Sequence, residues 1–154
     1  MPNRGPLSID WDLIELFDES MELRQPSAKD IAKAIEQAKN LPDAGDHGHV
    51  EAVFPIENKK LPAVPNGAWD DAKQKTVKLK NLFATNQQLS RDNLVWHLQH
   101  PGQSRFRGAR NTHPQVVKLT SGDLAIVDGH HRLSAMRMLG VKKEVVWMLK
   151  EKDL

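Results

Sequence analysis

Residues 126–140 read IVDGHHRLSAMRMLG, and this stretch decides the fold. It opens with apolar β-branched residues, passes through Asp128-Gly129, a dipeptide frequent in turns, and continues with apolar residues at helical spacing. Gly140 stands where a glycine commonly ends a helix. The stretch therefore predicts a strand, a tight turn and a helix over residues 131–139, with two histidines and an arginine at the junction.

The sequence around this junction has the pattern of a mixed α/β domain. Short β-branched runs alternate with turn residues and with a further helical stretch, which Ser90 would cap and Pro101 would end. A hairpin turn over residues 120–123 separates two of the runs. The predicted strands span residues 76–79, 116–119, 124–127 and 144–149.

The first half of the chain differs from the second in composition. Ser8 would cap an acidic amphipathic helix over residues 8–17, and Ser27 with Asp30 forms the capping-box pattern of a second helix. Prolines and glycines then crowd residues 42–68, which is typical of a linker. We therefore divide the chain into an acidic helical extension (1–41), a Pro/Gly-rich linker (42–75) and a mixed α/β domain (76–154).

Composition excludes several classes of protein. The 154 residues include no cysteine, which excludes disulfides, thiolate catalysis and cysteine–zinc sites and fits a reducing compartment. The apolar runs are too short to span a bilayer, and residues 1–13 lack the apolar core of a signal peptide. We therefore expect a cytoplasmic protein without a membrane partner, or, for a viral source, one in the host cytoplasm or the virion.

Charge is divided unevenly along the chain. Residues 1–75 carry 9 basic and 14 acidic residues, whereas residues 76–154 carry 13 basic and 6 acidic ones. Two interpretations stay open: the two parts attract each other, or they bind different partners. In the second case the basic part would bind DNA, and the acidic N-terminal helices would bind a phage protein or a second copy of the chain.

The junction at residues 128–132 has the chemistry of an anion site. A helix that starts directly after a strand presents unpaired backbone N–H groups and the positive end of its dipole. Gly129 lets a ligand approach closely, while His131 and Arg132 add donors for a phosphate. His130 can exchange a proton near neutral pH. Asp128 would either cap the helix or hold Mg²⁺ between itself and the phosphate.

An ordinary turn is the alternative explanation of the same residues, since Asp128 as a helix N-cap requires no ligand. The apolar positions of the helix that follows, such as Leu133 and Met136, are expected to lie in the core. Two adjacent histidines and an arginine have no simple structural purpose at a helix start, however. We therefore favour the ligand site.

The order of elements around this junction resembles the ParB/sulfiredoxin-like superfamily. A strand, a turn, a strand ending in DGHHR, a helix ending in LG and a final strand match it over about residues 76–150. The resemblance implies a small mixed sheet with flanking helices, and nucleotide phosphates held by Gly129, His131 and Arg132. The small ParB-like proteins of phages and mobile elements are the most similar branch.

The branches of that superfamily differ at this box. Sulfiredoxins have Gly-Cys-His-Arg, and His130 replaces their reactive cysteine here, which excludes sulfinic acid reduction. The ParB branch has Gly-Glu-Arg-Arg-x-Arg-Ala and holds CTP, and Gly129, Arg132 and Ala135 match it. The chain departs from the ParB box at His130, His131 and Ser134.

The resemblance implies three functions. The leading one is binding of a nucleotide di- or triphosphate, or of nucleic-acid phosphate, in phage or plasmid DNA metabolism. Mg²⁺-dependent hydrolysis, as in an NTPase or nuclease, would extend it, with Asp128 holding the metal and His130 moving a proton. The second is a non-enzymatic interaction or virion-associated protein with a degenerate site. The third is a kinase of the ADP-dependent serine kinase type, which shares Asp-Gly-His-His-Arg, although residues 76–91 offer no carboxylate as its base.

A basic loop offers a second contact for nucleic acid. Arg105, Arg107 and Arg110 surround Phe106 between two predicted elements. These side chains could grip a phosphate backbone or stack on a base. A solvated loop explains them equally well, so both interpretations stay open.

A histidine-containing loop has the spacing of metal ligands. Asp46, His47 and His49 lie close together among glycines. With no other ligand-type group near them in sequence, an ordinary loop is the favoured interpretation.

Overall fold

The polypeptide builds a mixed α+β fold, as its pattern predicts. The computed structural model describes residues 26–45, 47–51, 53–56, 60–65, 67–85, 88–103 and 113–154. Within these ranges the helices are α1 (Ala28–Asn40), α2 (Arg91–Gln99) and α3 (His130–Met138). The strands are β1 (His49–Glu51), β2 (Lys73–Lys78), β3 (Leu82–Phe83), β4 (Gln88–Ser90), β5 (Gln115–Lys118), β6 (Leu124–Asp128) and β7 (Lys143–Lys150). Short 3₁₀ turns span Ala68–Asp71, Leu79–Asn81 and Glu151–Asp153.

Five of these strands form one mixed sheet in the order β2-β7-β5-β6-β3. β5 and β6 are the two arms of the predicted hairpin and run antiparallel. The chain then passes through α3 and returns as β7, which is parallel to β5 and antiparallel to β2. β1 and β4 form a separate antiparallel pair. The DGHHR junction thus lies where the chain leaves an inner strand of the sheet.

Local sequence signals set the ends of the helices. Ser27 Oγ accepts a hydrogen bond from Asp30 N, and the Asp30 carboxylate accepts one from Ser27 N, which completes the predicted capping box of α1. Ser90 Oγ accepts a bond from Asn93 N at the start of α2. Gly140 follows α3 with a φ of 83°, a conformation that glycine adopts without strain. These three predictions are confirmed.

One face of the sheet carries the helices. Leu133 of α3 is fully buried and shares a hydrophobic core with Val116, Ile126 and Val146 of the sheet and with apolar residues of α1 and α2. Burying a leucine side chain contributes about 1.5–3 kcal/mol. Packing on this face therefore fixes the position of α3 and of the junction before it.

The hydrophobic core extends into the predicted linker. Val50, Val53 and Phe54 are buried in the same core as the helices. Strand β7 also pairs with β2, which begins at Lys73 inside the predicted linker. The division of the chain that makes residues 76–154 a separate domain stays a prediction.

On the opposite face of the sheet, Leu61, Val64 and Trp69 pack against Val117, Leu119 and Ala125.

Several predictions fall outside the described ranges. They concern the acidic helix over residues 8–17, the basic loop with Arg105, Arg107 and Arg110, and Asp46. In the part of the chain that is described, no helix is long and apolar enough to cross a membrane.

Candidate functional site

The junction between β6 and α3 is a one-residue turn built on Gly129. Gly129 has a φ of 95° and is the N-cap of α3, and its carbonyl accepts the hydrogen bond of Leu133 N at 2.9 Å. A Cβ at this position would lie 2.7 Å from Pro114 Cβ. Glycine is therefore required both by the backbone angle and by the packing of Pro114. Pro114 occupies the space in which a side chain of residue 129 would lie. A ligand would therefore approach the N–H groups at the start of the helix and not this space.

Asp128 does not cap the helix. It is the exposed last residue of β6, and α3 has no side-chain cap at its N-terminus. The predicted N-cap role is therefore wrong, because the cap position falls one residue later, on Gly129. Among the described residues no group of three or more His, Cys, Asp or Glu side chains is arranged to hold a metal ion.

His130 is buried and faces the backbone of a neighbouring segment. Its Nε2 accepts a hydrogen bond from Thr85 N at 3.0 Å, and Thr85 Oγ1 donates to the carbonyl of Ile126 at 2.6 Å. Burial, with a smaller contribution from the charge of His131, lowers the pKa of His130 to about 4. The ring is therefore neutral at physiological pH and carries its proton on Nδ1.

His131 makes the same kind of contact with the next element. Its Nε2 accepts a hydrogen bond from Ser90 N at 3.0 Å, so this nitrogen cannot donate to a phosphate in the same geometry. The rings of His131 and His97 lie nearly parallel, with centroids 6.4 Å apart. We call His130 and His131 with their partners Thr85 and Ser90 the histidine clamp. It fixes Thr85 and Ser90, the last residue of β4, to the first turn of α3.

Arg132 completes the first turn of α3. Its side chain is buried, and burial lowers the pKa of the guanidinium, an effect that the nearby Glu144 carboxylate opposes. A cation in the first turn lies in the positive field of the helix dipole. The turn thus places a buried cation beside the histidine clamp, and the Glu144 carboxylate offsets part of its charge.

Two further arginines that the sequence analysis did not single out hold the surroundings of this site. Arg137 is buried in α3, donates to the carbonyl of Val53 at 3.4 Å and lies 5.0 Å from the ring centre of Phe54. An arginine inside an otherwise apolar helical pattern was a signal that could have identified it.

The second of these arginines, Arg91, joins α1 to α2. It donates to the carbonyl of Ala38 and to the Asp43 carboxylate, both at 2.7 Å. The hydrogen bond from Arg91 lowers the pKa of Asp43. Because Arg91 follows Ser90 directly, the end of α1 is fastened next to the histidine clamp.

The predicted metal loop has ordinary contacts. His47 Nδ1 lies 3.1 Å from Asp43 Oδ2, and His49 is part of β1. Asp46 lies outside the described residues. His49 Nδ1 lies 3.4 Å from the carbonyl oxygen of His47, so the contact between the two residues involves the backbone of His47 and not its ring.

Comparison with protein-family models, with curated proteins and with solved structures found no match to this chain. The resemblance to the ParB/sulfiredoxin-like superfamily therefore stays a prediction.

Proposed function

We propose that the chain binds the phosphate groups of a nucleotide at the turn from Gly129 to Arg132. The observation that carries the proposal is a buried arginine in the first turn of a helix that starts directly after a strand. The guanidinium and the helix dipole are both positive at this point. A bound phosphate would be stabilised by both, and by the backbone N–H groups of the first helical turn.

The histidines support binding rather than proton transfer. The Nε2 atoms of His130 and His131 accept backbone N–H groups, and His130 is neutral at physiological pH. Moving a proton to His130 Nε2 would break its bond with Thr85. We therefore assign both histidines to positioning Thr85 and Ser90.

Hydrolysis would require the metal that the sequence analysis associates with Asp128. Mg²⁺ commonly binds through one or two carboxylates together with phosphate oxygens and water. Asp128 is an exposed carboxylate one residue before the turn and fits the first of these roles. Bound Mg²⁺ would neutralise phosphate charge, and we propose no catalytic base.

Calorimetric titration of ATP, CTP, GTP and ADP with Mg²⁺ tests the proposal. Arg132→Lys keeps the charge and removes the planar fork of donors, so we expect an affinity loss of about tenfold. Arg137→Lys is the matched control, because Arg137 is a buried arginine of the same helix that contacts Val53 and Phe54 instead. It should bind as wild type does, with circular dichroism confirming that both variants are folded.

Absence of binding by wild type at millimolar nucleotide would contradict the proposal, as would equal losses in both arginine variants. Binding of an oligonucleotide without binding of any mononucleotide would assign the site to nucleic-acid phosphate. Chromatography of the same mixtures detects hydrolysis, and Asp128→Asn should abolish it if Asp128 holds the metal.

A further inference from the structure

β2 forms one edge of the five-stranded sheet. It pairs with β7 along six consecutive residue pairs without a register shift. In the described part of the chain, no strand pairs with its outer side. Of its six residues, Val77 alone is buried, and the other five are exposed. β2 is therefore a regular, accessible edge strand, the kind of element to which another strand can be added.

The register shows which backbone groups of β2 point outward. Leu79 N donates to the carbonyl of Lys142 at 2.8 Å, just beyond the last strand pair. In an antiparallel pair, successive residues direct their backbone groups alternately toward the partner and away from it. Residues 73, 75, 77 and 79 therefore bond toward β7. The outward N–H and C=O groups belong to Gln74, Thr76 and Lys78.

The edge is positively charged and contains no acidic residue. Lys73 and Lys75 project from one face of β2 and Lys78 from the other, directly opposite Lys143 of β7. Like charges placed opposite each other across a sheet are destabilising. Within the described residues, no carboxylate forms an ion pair with Lys73, Lys75 or Lys78. Carboxylates of a partner that face Lys73 and Lys75 would therefore gain ion pairs on that face of the edge.

We propose that β2 docks an extended acidic peptide of a partner protein by strand addition. The main chain of the peptide would pair with Gln74, Thr76 and Lys78, and its alternate carboxylates would face Lys73 and Lys75. A second copy of β2 is a poorer fit, because it would add three more lysines and no carboxylate along the shared edge. This proposal is independent of the nucleotide site.

Fluorescence anisotropy with the full chain and a labelled hexapeptide, Val-Glu-Val-Glu-Val-Thr, tests the charge requirement. The control peptide has lysine in place of each glutamate. Wild type should bind the acidic peptide more tightly than the lysine peptide, and the variant Lys73→Glu/Lys75→Glu should show the reverse preference. We expect about a threefold change in affinity for each charge pair. An inverted preference cannot arise from misfolding, and an unchanged preference in the variant would overturn the proposal.

Thr76→Pro tests the main-chain requirement. Proline removes the outward N–H of Thr76 but none of the bonds to β7, and edge strands tolerate it at such positions. We expect roughly a fivefold loss of affinity for the acidic peptide. Thr76→Val is the matched control, because it retains the N–H, and it should bind as wild type does.

Equal peptide binding by the proline and valine variants would overturn strand addition, as would no peptide binding by wild type. A single-stranded oligonucleotide provides the remaining comparison. The proposal is wrong if the acidic peptide fails to bind and the oligonucleotide binds wild type, provided that charge reversal abolishes oligonucleotide binding and Thr76→Pro leaves it unchanged. The edge would then be a surface that binds polyanions through charge alone.

Discussion

His130 accepts a backbone hydrogen bond through a ring nitrogen that must remain unprotonated, and this fixes how the residue responds to acid. In the unfolded chain its pKa has the ordinary value of 6.5, whereas burial lowers it to about 4 in the folded protein. Between these two values the unfolded state binds more protons than the folded state does. Folding is therefore linked to pH through this one side chain.

We predict that acid destabilises the protein through His130. Its contribution is fully present above pH 6.5 and is lost as the pH falls toward 4. The total loss should be about 3 kcal/mol, since one pKa unit corresponds to about 1.4 kcal/mol. Urea unfolding at a series of pH values, in wild type and His130→Gln, measures it, because the difference between the two proteins isolates this group. A difference that does not vary with pH would contradict the prediction.

Single residues of the site were only partly predictable. The sequence placed Gly129, His131 and Arg132 at a helix start because the turn dipeptide and the helical spacing are local signals. The hydrogen bonds to Thr85 and Ser90 connect residues 45 and 41 positions apart. No periodicity of the sequence indicates such pairs, so the histidine clamp could be identified only from the structure.

Between β6 and α3, the element boundary depends on a glycine for two separate reasons. The positive φ is one, and the contact with Pro114 is the other. Gly122, in the turn between β5 and β6, has a similar φ of 93° but no atom within 4 Å of the Cβ position. The two glycines therefore allow backbone strain and steric exclusion to be separated.

We predict that Gly129→Ala destabilises the protein more than Gly122→Ala. A non-glycine residue at such an angle costs about 1–3 kcal/mol, and overpacking adds about 1–3 kcal/mol. Only Gly129→Ala should incur both costs, and the free energies of unfolding in urea give the difference. Equal losses in the two variants would mean that Pro114 moves aside without cost.

The hairpin, the last strand and the helices α2 and α3 were predictable from the sequence because each carries a local signal, whereas the short strands β3 and β4 were not predicted. The hairpin, the capped helix α2 and the last strand all form within a few residues of the expected positions. The burial of apolar side chains between residues 50 and 69 was not predictable, because a segment rich in proline and glycine can still place isolated apolar side chains in a core. Loop composition reports backbone conformation and not burial.

Core contacts cross the predicted domain boundary between residues 75 and 76 and hold the molecule together. The core that α3 and the sheet complete also contains Ala34 and Ala38 of α1, Val50 of β1, and Val53 and Phe54 of the loop that follows. Arg91 and Arg137 add hydrogen bonds between these parts. Removal of the first part would expose the apolar residues of the second.

We predict that residues 26–154 fold cooperatively and that residues 76–154 alone do not. The shorter fragment lacks half of β2 and every core residue of α1 and of the loop. Losing several large buried side chains at about 2–5 kcal/mol each exceeds the stability of a typical domain. Thermal unfolding followed by circular dichroism measures it. A sharp transition in the shorter fragment would contradict this prediction and support the 76–154 domain.

The position of β7 has a consequence for the biosynthesis of the protein. β7 lies between β2 and β5 and is the only strand of the described structure that joins them, yet the ribosome makes it after both. A nascent chain that has emerged as far as the hairpin therefore holds two separate groups of strands with open edges. Cotranslational folding cannot close the sheet until residues 143–150 leave the exit tunnel. Until then the backbone groups along those open edges would be exposed to pairing with other chains.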